Sequence, residues 1–378
     1  MVCGIMAYVG KRPAKNIIYA GLQRLEYRGY DSAGIALLDK GLSIAKAIGD
    51  TSKLDIVALS DKATIGIGHT RWATHGKPSF ANAHPHTIGN VTIVHNGIIE
   101  NYETIRQKID LSKIKSETDS EVLAGLIDLY FVSGDSLLEA TKKALSEVEG
   151  TFGIAVISNK EPNKIITARR GSPIIIGVGD GQNYIASDQS AIIDQTDKAI
   201  YLEDNQIAVV ESDSLDIFDL KLNQQSISIE TIDDKNASSS IGNFQSYLEK
   251  EIFEQPKALG NVMRGRLNQQ GSIVLGGPNL SDKDIDSIEQ ILIVGCGTAY
   301  YAGLYAKYAL EEILSIPVSV EFASEFRYRY GAYDPHKTLA IFMSQSGETA
   351  DTLASLREAK RRRIKTMGVV NTVGSTIA

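Results

Sequence analysis

The third residue, Cys3 in Met1-Val2-Cys3-Gly4-Ile5, combines a nucleophilic sulfur with an α-amine that becomes free once the residues before it are removed. Such an amine has a pKa of about 7.7 to 8.0 and can take the thiol proton near neutrality, so nucleophile and base come from one residue. Further along stands His69-Thr70-Arg71-Trp72-Ala73-Thr74-His75-Gly76, and the two segments together suggest chemistry on glutamine. By position alone, Cys3 also reads as a small buried hydrophobe in the apolar run Cys3 to Val9 of a first strand. Asn96-Gly97 follows the run Val91 to His95, where a side-chain amide and a backbone N–H can face one oxygen as an oxyanion hole. The same pair reads as a strand-ending turn. Arg71 can clamp a substrate α-carboxylate bidentately and Asp119 can meet its α-ammonium. Their plainer readings are a surface ion pair and a helix first-turn acid. Trp72 reads equally well as core packing. His75, His84 and His86 look like a metal set, but second-shell carboxylates and a fourth ligand are not evident, and no metal is expected.

In the second half, Gly295-Cys296-Gly297-Thr298 follows an apolar run and opens a helical pattern, as a phosphate or dinucleotide loop does. Glu321, at a strand end, favours the dinucleotide reading, but Tyr300 stands where a third glycine belongs. Ser344-Gln345-Ser346-Gly347-Glu348-Thr349 sits at another strand end and helix start. Three hydroxyls and several backbone N–H groups converge there without the lysine of a nucleotide loop, which suits a monophosphate. Ordinary Ser/Thr capping is the alternative.

Strand-like runs position the first set: Cys3 to Val9, Ala33 to Leu38, Thr64 to His69, Val91 to His95, Phe152 to Ile157, Ile165 to Ala168, Ile174 to Val178, Ile207 to Val210 and Ile227 to Ile232. A helix is expected with Pro13 at its first position and Ile17, Ile18, Leu22 and Leu25 at helical spacing. Another opens at Thr118, where Thr118 and Glu121 fit a capping box. Strands that mostly follow one another directly imply stacked, largely antiparallel sheets with helices outside. The polar stretch 233–240 marks a linker. Beyond it, residues 244–270 read as helices interrupted at Pro256. Strands then alternate with helices: Gln290 to Val294, 299–314, Val318 to Phe322, Leu339 to Met343, 350–361 and Thr366 to Val370. That alternation is the pattern of a doubly wound parallel sheet. Four such strands are fewer than an open sheet of this kind usually carries, so the chain is expected to be cut inside this domain. The domain expectation is 1–235, a linker 236–243, and 244–378.

The chain has 378 residues, 43% hydrophobic and 22% charged, with net charge −7. A basic run exists only at Lys360-Arg361-Arg362-Arg363, read as a solvated helix end, so nucleic acid is not expected as a partner. Two cysteines far apart imply no disulfide framework and fit a reducing, cytoplasmic location. No secretory leader and no membrane-length apolar run are expected.

The longer runs resemble glutamine–fructose-6-phosphate aminotransferases of the isomerising type. They are Cys3 to Ile5, Arg24 to Gly34, His69 to Gly76, Asn82 to His86, His95 to Tyr102, Ser116 to Asp119, Lys250 to Pro256, Cys296 to Thr298 and Ser344 to Thr352. The resemblance implies an α/β and α+β chain of two domains. An N-terminal-nucleophile hydrolase αββα sandwich would precede a truncated doubly wound sugar-isomerase (SIS) domain. It implies that Cys3 attacks the glutamine amide, that Asn96 and Gly97 hold the oxyanion, and that Arg71, Thr74, His75 and Asp119 bind the amino-acid end. Arg28 would support Cys3, and Trp72 would gate the ammonia passage. Thr298, Ser344, Gln345, Ser346 and Thr349 would hold the phosphate of fructose 6-phosphate. No cofactor is implied, and a homodimer through the sugar domains is. Three departures stand out: Val2 intervenes where relatives start Met-Cys, Ala299 replaces a serine of some relatives, and the second isomerase domain is missing. This chain alone is therefore expected to keep at most glutaminase activity and sugar-phosphate binding. A phosphoribosyl pyrophosphate amidotransferase would need acids for magnesium after its loop. A sugar-phosphate sensor would need a basic DNA-binding helix pair.

Overall fold

Alternate residues of the first strand, β1 (Gly4–Gly10), are buried in opposite directions, and this sets the layering around it. Ile5, Ala7 and Val9 join one apolar cluster while Met6 and Tyr8 join another, so both faces of the strand are covered. The structure, a computed structural model, describes residues 3–26, 29–72, 77–232, 244–263, 281–329, 331–371 and 375–378. The chain divides into two compact units, residues 1–239 and 240–378.

In the first unit, β1 is followed by α1 (Ala14–Arg24), β2 (Ser32–Leu38), β3 (Leu42–Ile48), β4 (Ile65–Arg71), β5 (His86–Ile88) and β6 (Val91–Ile99). Next come α2 (Tyr102–Arg106), α3 (Asp119–Val132), α4 (Leu137–Glu147), β7 (Gly150–Ser158) and β8 (Glu161–Arg170). The last strands are β9 (Ile175–Gly179), β10 (Gln182–Ala186), β11 (Lys198–Tyr201), β12 (Gln206–Val210), β13 (Leu215–Asp219) and β14 (Glu230–Thr231). They form an eight-stranded sheet, β14-β11-β9-β10-β1-β4-β2-β3, and a six-stranded sheet, β13-β12-β8-β7-β6-β5.

Three apolar seams hold four layers together. Ile18 and Leu22 of α1 pack on Met6, Tyr8 and Leu37. Ile5, Ala7 and Ile67 of the first sheet face Val94, Ala155 and Ile165 of the second. Leu123 and Leu126 of α3, with Ala140 and Ala144 of α4, cover Ile93, Ile154 and Val156. The result is an αββα sandwich. Each fully buried Ile or Leu at these seams contributes roughly 1.5–3 kcal/mol.

In the second unit, α5 (Tyr247–Met263) and α6 (Asp282–Asp286) precede β15 (Gln290–Gly295), α7 (Thr298–Leu314), β16 (Val318–Phe322), α8 (Ala323–Phe326), β17 (Thr338–Ser344), α9 (Ala350–Arg361) and β18 (Lys365–Val370). The parallel sheet runs β16-β15-β17-β18. Leu353 and Leu356 of α9 pack on one face, against Val294 and Phe342. Leu310 of α7 packs on the other, against Ile291, Ile293 and Ile341. The sheet is doubly wound as expected.

Several local expectations need correction. Pro13 is the residue before α1 rather than its first residue. The run Ile227 to Ile232 forms only the two-residue β14, because Ile227 and Ile229 are exposed with nothing to bury against. Pro256 does not interrupt α5, which runs through it at an exposed position where water can take the carbonyl that proline leaves unbonded. The capping box is half formed. Thr118 Oγ1 accepts from the Glu121 N–H, but the Glu121 carboxylate accepts from Lys115 and Ser116 N–H instead of returning to Thr118. The expected linker lies outside the described residues.

Candidate active site

β1 and β4 are antiparallel neighbours, with Gly4 opposite Thr70 and Ile5 opposite His69, so the start of one strand meets the end of the other. Cys3, just before β1, therefore lies against Trp72, just after β4. The Trp72 N–H donates to Cys3 Sγ at 3.3 Å, and the thiol donates to the Trp72 carbonyl at 3.7 Å. Asn96 comes from the other sheet, on β6, and its Nδ2 donates to the Cys3 carbonyl at 3.0 Å. The sulfur thus has a backbone donor beside it, and a side-chain amide reaches the Cys3 carbonyl across the seam.

Gly97 is no turn residue, because β6 continues to Ile99 with Gly97 opposite Phe152 of β7. Its φ is +145°, and a Cβ there would stand 2.1 Å from the Thr151 carbonyl oxygen, so only glycine fits. Two residues on, the Ile99 N–H donates to Asp119 Oδ2 at 2.8 Å, which ties the first residue of α3 to the end of β6. Asp119 is buried and faces the strand, not solvent. Arg71, the last residue of β4, is also buried, so it is no surface ion pair. Burial pushes its guanidinium pKa down, while Cys3, Asp31 and Asp119 act in the opposite direction. Trp72 is 45% exposed and meets Tyr30 edge to face at 5.2 Å, which excludes the core-packing reading.

The geometry therefore gathers Cys3, Arg71, Trp72, Asn96, Gly97 and Asp119 at one end of the sandwich. Arg28, Thr74 and His75 lie outside the described residues. Among the described residues, no group of three or more His, Cys, Asp or Glu could hold a metal ion. Among them too, no helix is long and apolar enough to cross a membrane.

A set of buried imidazoles backs this end. His69 and His84 stack with ring centres 4.1 Å apart, and His84 meets His86 edge to face at 4.5 Å. His69 Nε2 is 2.9 Å from Asn96 Oδ1, and His86 Nε2 is 3.1 Å from the Thr118 hydroxyl that caps α3. His95 lies between Ser120 Oγ at 2.8 Å and the Thr151 carbonyl at 3.4 Å. Burial pushes the His69 pKa down to about 3 and holds His84 and His86 well below the usual imidazole range. These rings are neutral at pH 7.

In the second unit, β15 and β17 are adjacent and parallel, while their outer neighbours β16 and β18 lie to opposite sides. Loops at such a switch point open a crevice beyond the strand ends. Thr298 begins α7 after Gly297, and Ser344 ends β17. Neither Gly297 nor Thr349 gives its helix a side-chain cap, so first-turn N–H groups of α7 and α9 remain for an anion. Ser344 Oγ lies 3.1 Å from Thr349 Oγ1 and accepts from the Gly347 N–H at 3.0 Å, while Ser346 Oγ accepts from the Glu348 N–H. Gly347 has φ +68°, and a Cβ would stand 1.9 Å from Ser375 Oγ. Ile377 N–H donates to its carbonyl, so the segment 375–378 backs the loop. Glu321, the residue behind the dinucleotide reading, is held by Arg329 at 2.9 Å and by the Tyr333 hydroxyl at 3.0 Å.

Two domain families match the chain: a glutamine amidotransferase domain over residues 54–214 and a SIS domain over residues 284–378. The enzyme named glutamine–fructose-6-phosphate aminotransferase [isomerizing] from Chlorobaculum tepidum is 45% identical over 388 residues, covering 100% of this chain and 63% of that protein. Its namesake from Haemophilus influenzae is 43% identical over 384 residues, with the same coverage of 100% and 63%. Along its whole length the chain resembles this aminotransferase family. It spans about 63% of the length of these relatives. The solved glutamine phosphoribosylpyrophosphate amidotransferase from B. subtilis, 18% identical, covers 98% of this chain and 82% of its own with a TM-score of 0.52, a likeness of fold alone.

Sequence reasoning overlooked the part of the candidate site that lies beneath the reacting groups. His69 was part of a motif without a role, and Ser187 had no signal at all. Ser187 Oγ accepts from the Ile5 N–H at 2.9 Å, and the Ser187 N–H donates to the Ile5 carbonyl, fixing the strand behind Cys3. Histidines on apolar strands are the signal that could have found the imidazole set, since burying several imidazoles needs a reason.

Proposed function

We propose that the first unit hydrolyses L-glutamine at Cys3 and that the second binds the phosphate of fructose 6-phosphate. In the whole protein, the released ammonia would aminate the sugar to give glucosamine 6-phosphate. The observation that carries this reading is the meeting at Cys3 of the Trp72 N–H and the Asn96 amide, with Arg71 and Asp119 close by. The Cys3 α-amine, freed of Met1 and Val2, takes the thiol proton, and the sulfur attacks the side-chain amide carbon of glutamine. Asn96 Nδ2–H and the Gly97 N–H face the oxyanion. The ammonium formed at Cys3 returns its proton to the leaving nitrogen, ammonia departs, and water cleaves the thioester to glutamate. Arg71 and Asp119 hold the α-carboxylate and α-ammonium, joined by Thr74 and His75, with Arg28 supporting Cys3 and Trp72 at the ammonia exit.

Thr298, Ser344, Gln345, Ser346 and Thr349 take the phosphate, at the uncapped starts of α7 and α9. The two units described account for glutaminase activity and sugar-phosphate binding. It works in the cytoplasm as a homodimer built through the sugar domains, with domain limits at 235 and 244. Two cysteines far apart in sequence suit a reducing compartment. The test is intact mass before and after diazo-oxo-norleucine, together with glutamate release. A mass lacking Met1 and Val2, one adduct on Cys3 and glutamate formation support the reading. A chain that starts at Cys3 but neither takes the adduct nor releases glutamate refutes it.

A further inference from the structure

The geometry points to His69 as a positioning residue that fixes which end of the Asn96 amide faces the oxyanion. The argument rests on the reading above, in which Asn96 binds that charge, and follows from counting donors. The Cys3 carbonyl can only accept, so the end of the Asn96 amide 3.0 Å from it must be the NH2. The Asn96 oxygen is then turned to His69 Nε2 at 2.9 Å, and it too can only accept, so His69 must carry its proton on Nε2. That leaves His69 Nδ1 as a bare lone pair, and it is buried without a hydrogen-bond partner. Burial, with repulsion from Arg71 and His95, keeps the ring neutral. The stacked His84 ring holds its plane.

If the Nε2–H were absent, the buried Asn96 oxygen would lose its donor. The amide could then turn to point that oxygen at the developing charge, replacing an attraction with a repulsion. Because His69 is buried behind Asn96 and acts through it, its removal should affect turnover more than glutamine binding.

The test compares His69→Phe, which keeps a flat ring without a donor, with His69→Gln, whose amide N–H reaches about as far as Nε2. Both are measured in the chain freed of Met1 and Val2. For H69F, kcat for glutamate release is expected to fall about a hundredfold, the loss typical of one oxyanion donor, with KM for glutamine within about threefold. H69Q should recover most of the loss. Iodoacetamide alkylation of Cys3, which builds no oxyanion, should proceed at the parental rate in both. An H69F kcat within threefold of the parent, an H69Q no better than H69F, or alkylation slowed as much as turnover would each overturn the inference. A parent chain silent toward glutamine would instead sink the glutaminase reading itself.

Discussion

Lowering the pH from 7.5 to 5.5 should destabilise the first unit by about 4 kcal/mol through its buried imidazoles. His69, His84 and His86 are pushed far below their usual 6.5 by burial, so the folded chain leaves them neutral at both pH values. The unfolded chain takes up a proton at each as pH drops through about 6.5, so stability is fully present above that value and is lost below it. At pH 5.5, one unit below the unfolded pKa, each ring contributes about 1.4 kcal/mol of loss. Three give about 4 kcal/mol, a large share of a typical domain stability of 5–15 kcal/mol. His95 moves in the same direction, but the Asp119 charge opposes it, and it is left out of the sum. The chosen pH stays above the range in which ordinary aspartates and glutamates protonate.

Trp72, the only tryptophan, makes the measurement specific to this unit. Urea unfolding followed by its fluorescence should shift to a lower midpoint by roughly 1.3 M at pH 5.5, for a slope of about 3 kcal/mol/M. His84→Phe is the internal control, because neither ring nitrogen of His84 has a hydrogen-bond partner. Whatever its packing cost, it should remove about a third of the pH loss, or ~1.4 kcal/mol. A midpoint unchanged between pH 7.5 and 5.5, or an H84F variant as acid-sensitive as the parent, would refute the reasoning.

Other perturbations read other parts of the molecule. Asp119→Asn keeps an oxygen for the Ile99 N–H but removes the charge, so the glutamine KM should rise by about 10- to 100-fold, the worth of a charged hydrogen bond, while the urea midpoint stays put. Gly347→Ala would drive a Cβ to 1.9 Å from Ser375 Oγ at a backbone φ of +68°. Titration calorimetry should show fructose 6-phosphate affinity weakened about 5- to 150-fold, given strain of order 1–3 kcal/mol in the loop. Burial raises the Cys296 thiol pKa, so at pH 7.5 iodoacetamide should modify Cys3 and spare Cys296, with one adduct by intact mass.

The sequence displayed the layers better than the links between them. β1 from Gly4 to Val9 and β7 from Phe152 to Ile157 are buried on both faces, so these runs are apolar without interruption and easy to recognise. β3, at the edge of the larger sheet, mixes exposed and buried positions, and its Leu42-Ser43-Ile44-Ala45-Lys46 carries no strong period. The alternation of Gln290 to Val370 translated almost directly into the parallel sheet, because apolar strands and helices take turns along it. The candidate residues came from motif resemblance, and local patterning misassigned two of them. Asn96-Gly97 has the composition of a turn yet lies within β6, where a close approach to Thr151, not chain reversal, demands the glycine. Trp72 has the composition of a core residue yet stands in solvent beside Tyr30. Both depend on contacts between segments far apart in sequence, which local patterning cannot register.

The same distinction explains why the imidazoles stand where an apolar core would be more stable. Cys3 and His69 belong to one sheet and Asn96 and His95 to the other, so the candidate site straddles a seam that is elsewhere held by Ile, Val and Ala. Apolar packing is non-directional and tolerates small slides, whereas an amide that must present its NH2 to one oxygen does not. At this end of the seam, directional bonds take over: Asn96 to the Cys3 carbonyl, His69 to Asn96, His86 to the cap of α3, and Ile99 to Asp119. Neutral histidine suits the task because it brings a donor and an aromatic face into a dry interior without a permanent charge. Acid sensitivity is the physical consequence of that choice. The pH that first protonates the unfolded imidazoles is therefore also the pH at which the two halves of the candidate site should begin to come apart.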